Sequence, residues 1–185
     1  MNKKVGKMTL SMALAAALAF APAQAFAAPA TDISGHWAEK VITQWQEKGL
    51  ISGYEDGTFK PDNSVTRAEF VIMLNKALGF TQKGNVTFSD VSANAWYYDA
   101  VAIAVEAGYC AGYEDGTFKP NATITRAEAA VMIAKAKELT ANTEAADKFT
   151  DASRIPVWAK GSVGAVSAAG FMTGRTDGTF DATNT

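Results

Sequence analysis

One unit recurs along this chain, and that recurrence limits its fold more than any other feature. Trp37 to Glu69 reads WAEKVITQWQEKGLISGYEDGTFKPDNSVTRAE, and Trp96 to Glu128 reads WYYDAVAIAVEAGYCAGYEDGTFKPNATITRAE. At an offset of 59 the two align without a gap, and 16 of 33 positions are identical. A third copy opens at Trp158 as WAKGSVGAVSAAGFMTGRTDGTFDATNT. Each Trp lies 12 residues before a Gly (Gly49, Gly108, Gly170), and a second Gly follows four later (Gly53, Gly112, Gly174). Each copy is led in by a Ser/Thr-Asp pair: Thr31-Asp32, Ser89-Asp90 and Thr150-Asp151. Self-similarity at fixed spacing is the signature of a repeat architecture.

Each unit reads as helix, loop, helix, which makes the class all-α. Trp37, Val41 and Trp45 are spaced i, i+4, i+8 along one helical face, and Trp96, Ala100 and Ala104 repeat the pattern. The first helix is therefore expected to start at the Trp and to stop at Gly49, Gly108 or Gly170, since Gly enters the left-handed C-cap without steric cost. The loop that follows carries Asp-Gly turn signals, with Phe59, Phe118 and Phe180 as its apolar anchors. The second helix opens at Thr66 or Thr125, where Thr-Arg-Ala-Glu is a capping box. Its body is apolar on every face, so it is expected at the centre, with the Trp-led helices outside it.

The first 27 residues read differently. Lys3, Lys4 and Lys7 precede an apolar run from Met8 to Phe20, and small-x-small cleavage sites follow at Ala25 and Ala27. This is the layout of a secretory signal peptide, and the run is too short to span a membrane. The whole chain carries a formal charge of −2, with 17 basic and 19 acidic residues. Removing three lysines leaves an acidic exported chain with no global field for nucleic acid. One Cys and one His exclude an internal disulfide, a zinc finger and a two-histidine metal site. Cys110 reads as a small buried apolar residue. His36 reads as a helix cap or a solvent-exposed side chain.

These motifs resemble the S-layer homology family: the Phe-Ser-Asp lead of the second copy, the Trp helix, Gly-Tyr-x-Asp-Gly-Thr-Phe-x-Pro and Ile/Val-Thr-Arg-Ala-Glu. The resemblance covers essentially everything after the signal peptide. It divides the chain into residues 1–27 (signal peptide), 28–88 (first repeat), 89–147 (second) and 148–185 (third). It implies a pseudo-three-fold prism of helix-loop-helix repeats around a central bundle of Thr-Arg-Ala-Glu helices. It also implies secretion to the cell wall and S-layer, and non-covalent anchoring there. The partner implied is a secondary cell-wall polysaccharide, a peptidoglycan-linked polymer ending in a pyruvylated amino sugar, held in grooves between repeats. The sequence given stops at Asn184-Thr185, one residue before a third Thr-Arg-Ala-Glu would start. The third repeat is therefore expected to lack its second helix, as in a fragment of a longer protein.

The residues that would hold such a sugar follow from their chemistry. Arg67 and Arg126 each stand in the first turn of a helix, where unpaired amides and the macrodipole favour an anion, and a guanidinium can grip a carboxylate. The alternative for both is a solvated surface charge. Gly53, Gly112 and Gly174 would let a sugar approach the backbone, or serve turn geometry alone. Trp37, Trp96 and Trp158 would offer apolar platforms, or belong to the core. Tyr54 and Tyr113 would line a groove, or cover the loop. The adjacent acids Glu55-Asp56 and Glu114-Asp115 suit neither a glycosidase pair nor a calcium loop, and no phosphate cradle is present. No enzyme, cofactor or metal is expected. Two other readings stay open: a structural self-assembly module, and the wall anchor of an exported hydrolase whose catalytic domain lies beyond residue 185.

Overall fold

The computed structural model describes residues 31–185; the expected signal peptide lies outside the described residues. Six α-helices occur in order: α1 (Glu39–Glu47), α2 (Arg67–Leu78), α3 (Tyr98–Glu106), α4 (Arg126–Ala136), α5 (Thr143–Ala146) and α6 (Val157–Ala168). Among the described residues there is no β-strand, and a single antiparallel bridge pairs Thr66 with Thr123. The all-α expectation is met. The first repeat holds α1 and α2, the second α3 and α4, and the third α6, with α5 in the connector before it.

Both Thr-Arg-Ala-Glu boxes close as the sequence requires. Thr66 accepts from the Glu69 amide while Glu69 reaches back to the Thr66 amide, and Thr125 and Glu128 do the same. The first helices stop at their glycines. Gly49, Gly108 and Gly170 have φ of 68°, 74° and 77°. After α1 the Gly49 amide donates to Gln46 and the Leu50 amide to Trp45, the paired bonds of a Schellman ending. The Trp does not open every first helix: α1 and α3 begin two residues after it. In the first repeat the His36 Nδ1 accepts from the Ala38 amide at 3.2 Å, just ahead of α1, whose first amides have no side-chain cap.

The lead-in aspartates hold each loop. Asp90 accepts from the amides of Phe118 and Lys119, both at 2.8 Å. Asp32 does the same for Phe59 and Lys60, both at 2.7 Å, and Asp151 for Phe180 and Asp181, both at 2.8 Å. Lys60, Lys119 and Asp181 sit at φ of 56°, 56° and 59°, a strained region for residues with a Cβ. Two charge-assisted bonds to one carboxylate hold the chain there.

Each large core cluster gathers around one repeat and takes in the second helix of the repeat before it. α2 packs on α3, and α4 packs on α6. Val71 of α2 shares one cluster with Val101 and Ala104 of α3 and with the buried loop anchor Phe118. Ala127, Ala130 and Ala134 of α4 share another with Val163, Val166 and Phe180. The second helices are not buried all round. α4 comes closest, but in α2 only Arg67, Ala68, Val71 and Asn75 are buried, while Ile72 and Met73 remain partly open. One face of α2 covers its neighbour; the other lines a groove. Cys110 is buried in the core as expected, and burial raises its thiol pKa.

The first repeat is the exception. Its cluster contains only Ile33 and Ile42 as buried members. Trp45 stands where Ala104 and Val166 are fully covered, yet it is exposed. No helix of the described residues covers α1 as α2 covers α3.

Removing a loop clamp should be costly. Asp151→Ala is expected to lower stability by about 2 kcal/mol, because two amides lose a charged acceptor. Urea unfolding followed by far-UV circular dichroism checks this; an unchanged midpoint would mean that the clamp is incidental.

Candidate functional site

Successive repeats meet at two grooves of matching composition. The first, of 430 Å³, is walled by Gly53, Tyr54 and Lys60 of the first loop, by Glu69, Met73 and Lys76 of α2, and by Trp96 of the second repeat. The second, of 570 Å³, is walled by Gly112, Tyr113 and Lys119, by Glu128, Met132 and Lys135 of α4, and by Trp158 of the third repeat. Each residue named in the second groove follows its counterpart in the first by 59 positions, or by 62 for the Trp. The second groove also contains Arg67.

Sequence reasoning left the Trp rings between core and platform, and the structure settles their burial. Trp37, Trp96 and Trp158 are 87%, 68% and 62% exposed. Trp96 and Trp158 line the groove of the preceding repeat. Neither groove includes Trp37, Arg126 or Gly174.

The helix starts are not open anion sites, which corrects the expectation of unpaired amides. The amides of Arg67 and Ala68 donate to the carbonyls of Ala122 and Pro120, at 2.9 and 3.0 Å. Those of Arg126 and Ala127 donate to Asn184 and Ala182, both at 2.8 Å. The amides of Glu69 and Glu128 go to the cap threonines. The guanidinium groups turn the same way. Arg67 is 3% exposed, its Nε donates to Phe118 O at 2.8 Å, and its Nη1 lies 3.2 Å from Glu128 Oε1. Arg126 donates to Phe180 O through Nε and to Thr173 O through Nη2, both at 2.8 Å. Burial, then the nearby Arg175, lowers the Arg126 pKa. Neither Arg is a freely solvated charge. Each seats its own repeat in the loop of the next, and among the described residues Arg67 Nη2 and Arg126 Nη1 have neither a hydrogen bond nor an ion pair.

The groove walls are built around a tyrosine. Tyr113 donates to Glu128, and Tyr54 donates to Glu69 at 2.9 Å. Lys119 Nζ lies 4.0 Å from the centre of the Tyr113 ring, and Lys60 Nζ lies 4.4 Å from that of Tyr54. Burial, then the bond to Glu128, pushes the Tyr113 hydroxyl pKa up to about 12. For Glu128, burial acts to raise the pKa. Hydrogen bonds from Tyr113 and from the Thr125 amide and hydroxyl, with the Arg67 charge, outweigh burial and hold it below the usual range.

The second glycine is demanded by internal packing. A Cβ on Gly112 would meet Phe88 Cε1 at 2.4 Å and Thr117 O at 2.7 Å. On Gly174 it would meet Phe149 Cε1 at 2.7 Å, and on Gly53 it would meet Thr58 O at 2.5 Å. Close packing thus requires a glycine at all three positions, and Gly53 and Gly112 also line their grooves.

Sequence reasoning missed Lys76 and Lys135. Both line a groove, and among the described residues neither belongs to an ion pair. The signal was present, because each stands nine residues after the motif Arg. The third repeat departs from the pattern: Arg175 and Asp181 replace the Tyr/Lys pair and bond to each other at 2.7 Å. Among the described residues no cluster of three His, Cys, Asp or Glu is placed to hold a metal, and no helix is long and apolar enough to cross a membrane.

The sequence model of the S-layer homology domain matches residues 31–71, 87–130 and 148–184, more than half of the chain. The chain is 37% identical over 142 residues to a surface-layer 125 kDa protein of Lysinibacillus sphaericus, covering 77% of this chain and 12% of that protein. It is 38% identical over 132 residues to a cellulosome-anchoring protein of Acetivibrio thermocellus, covering 67% and 29%. It is also 35% identical over 155 residues to an exoglucanase of Acetivibrio thermocellus, covering 80% and 14%. The chain thus spans less than a third of each of these relatives.

Two outcomes follow from the Arg67–Glu128 contact. Arg67→Ala should destabilise the chain by about 3 kcal/mol, since Glu128 and the Phe118 carbonyl both lose a buried donor. Arg67→Lys should recover little, because an ammonium does not serve two acceptors in a planar fork. Urea midpoints of the two variants check this. The depressed Glu128 pKa also has a pH consequence. Its stabilisation is complete above the ordinary carboxylate value of 4.5 and is lost as pH falls through the lowered value. Urea midpoints taken from pH 7 to pH 3 should therefore fall more steeply for the wild type than for Glu128→Gln.

Proposed function

This chain belongs to the S-layer homology domain family, and on that premise we propose that it holds an exported protein at the cell wall by binding a wall polysaccharide in the grooves between its repeats. The observation that carries this reading is the duplicated groove. Two clefts repeat the same aromatic, basic and acidic residues at corresponding positions, each closed by an exposed Trp of the following repeat. An indole ring held open to solvent suits the apolar face of a pyranose. An ammonium without an internal partner suits a carboxylate on that sugar.

The finer reading is an anionic ligand, a pyruvate ketal on an amino sugar. Lys76 in the first groove and Lys135 in the second supply the positive charge. Arg67 adds its remaining N–H donors to the second groove, which makes the second the stronger site. The chain is a binding module, and it acts at the cell surface. The relatives' names support a module that serves several cargoes, since one is a surface-layer protein, one a cellulosome-anchoring protein and one an exoglucanase. Any catalysis belongs to sequence outside this module.

Sedimentation with purified sacculi tests the proposal. The chain should pellet with intact walls and stay in solution once the secondary polymer has been stripped; equal pelleting with stripped walls would end it. Trp158→Ala and Lys135→Ala should each weaken binding about tenfold while leaving the urea midpoint unchanged. Arg67 is the wrong probe, because its removal disturbs the fold. A free pyruvylated amino sugar should compete; competition by the unpyruvylated sugar at equal strength would remove the anionic part of the reading.

A further inference from the structure

The same dipeptide stands at the tip of every loop: Asp56-Gly57, Asp115-Gly116 and Asp177-Gly178. An aspartyl-glycyl linkage is prone to rearrange, because glycine places no side chain in front of its own amide nitrogen. That nitrogen attacks the carboxyl carbon of the aspartic side chain. The N–Cγ bond forms, the C–OH bond breaks, and the amide proton and the hydroxyl leave together as water. Water then reopens the five-membered succinimide at either carbonyl. One product is the original aspartate; the other carries the main chain through the β-carboxyl as isoaspartate. No oxidant or cofactor takes part.

We propose that these three linkages are isomerisation sites, and that Thr58, Thr117 and Thr179 hold them in check. Each Thr donates twice to the Oδ1 of the Asp two residues before it. Amide and hydroxyl distances are 3.0 and 2.6 Å at Asp56, 3.0 and 2.5 Å at Asp115, and 3.0 and 2.7 Å at Asp177. The carboxyl group is thereby tied forward along the chain. The glycine amide is tied backward: Gly57, Gly116 and Gly178 donate to the carbonyls of Tyr54, Tyr113 and Arg175, each at 3.0 Å. The electrophile and the nucleophile are held by different partners on opposite sides of the turn.

The charge state works in the same direction. An ionised carboxylate has no hydroxyl to lose and is a poor acceptor for the attack. The Thr58 hydroxyl and amide bonds lower the Asp56 pKa to about 2, and Asp115 and Asp177 are lowered by their own threonines. The three sites are not equally guarded. Lys60 Nζ lies 3.2 Å from Asp56 Oδ2, and Lys119 Nζ lies 3.3 Å from Asp115 Oδ2. Position 181 is Asp, which pairs with Arg175, so among the described residues Asp177 is held by Thr179 alone.

The sites matter because of what the loop carries. An isoaspartate adds one methylene to the backbone between Tyr54 and Lys60, or between Tyr113 and Lys119. These pairs form the groove walls. Rearrangement would pull the lysine off its ring and deform the groove.

Ageing the full chain at neutral pH and 37 °C, with isoaspartate located by peptide mapping and mass spectrometry, tests this. Thr58→Val, Thr117→Val and Thr179→Val should each raise isoaspartate at the adjacent Asp about three- to tenfold, most at Asp177. The Thr→Ser variants, which keep the hydroxyl, should age like the wild type. Folded Val variants that age no faster than the wild type would overturn the proposal. A second comparison does not depend on any variant folding: the wild type in concentrated urea should form isoaspartate much faster than the native chain, and equal rates would overturn the proposal as well.

Discussion

The first amides of a helix have no partner inside it, and in this protein that shortage joins one repeat to the next. The amides of Arg67 and Ala68 are taken by carbonyls of the second loop, and those of Arg126 and Ala127 by carbonyls near residue 184. The Arg side chain doubles the connection by reaching the loop phenylalanine's carbonyl. Each second helix is thereby fixed in position and angle against the following repeat. Its apolar face then lands on the first helix of that repeat, and the grooves are the space left beside the contact. If water satisfied those amides instead, each junction would lose two of the backbone bonds that set its register.

The local parts of this arrangement were legible in the sequence. Capping boxes, glycine helix ends and Asp-Gly turns act within a few residues, so spacing along the chain reports them directly. What acts across the chain was not legible. Asp90 and the amides of Phe118 and Lys119 are separated by 28 and 29 residues, and no periodicity announces such a bond. The direction of Arg67 depends on where the next loop lies. The same holds for Trp96 and Trp158. By residue type they read as core, yet each reaches over the groove of the preceding repeat, a neighbour that only the folded chain supplies. Lys76 and Lys135 were hidden for another reason: a lysine on a helix usually reads as a solvated charge.

The two junctions use one plan with different contents. At the first, Asn75 donates to Ala100 O and accepts from the Tyr109 hydroxyl at 2.6 Å, within the core. At the second, Ala134 and Phe171 stand at the corresponding positions, and Phe171 is exposed. The volumes also trade places: Val71 and Ala104 share one cluster, Ala130 and Val166 the other. A buried hydrogen bond is satisfied only with its own partner present, whereas apolar surfaces tolerate many. The first junction therefore discriminates between repeats more sharply than the second.

The uneven cover of the repeats has a further result. Carbonyls of Phe59, Pro61 and Asn63 correspond to those that receive Arg and Ala elsewhere, yet no described residue donates to them. Where repeats pack on one another, cohesion is close to a sum of nearest-neighbour terms, and within residues 31–185 the first repeat lacks one such term. Within residues 31–185, opening would thus begin at α1, whose cluster has only two buried members, before it reached the better-filled clusters of the later repeats.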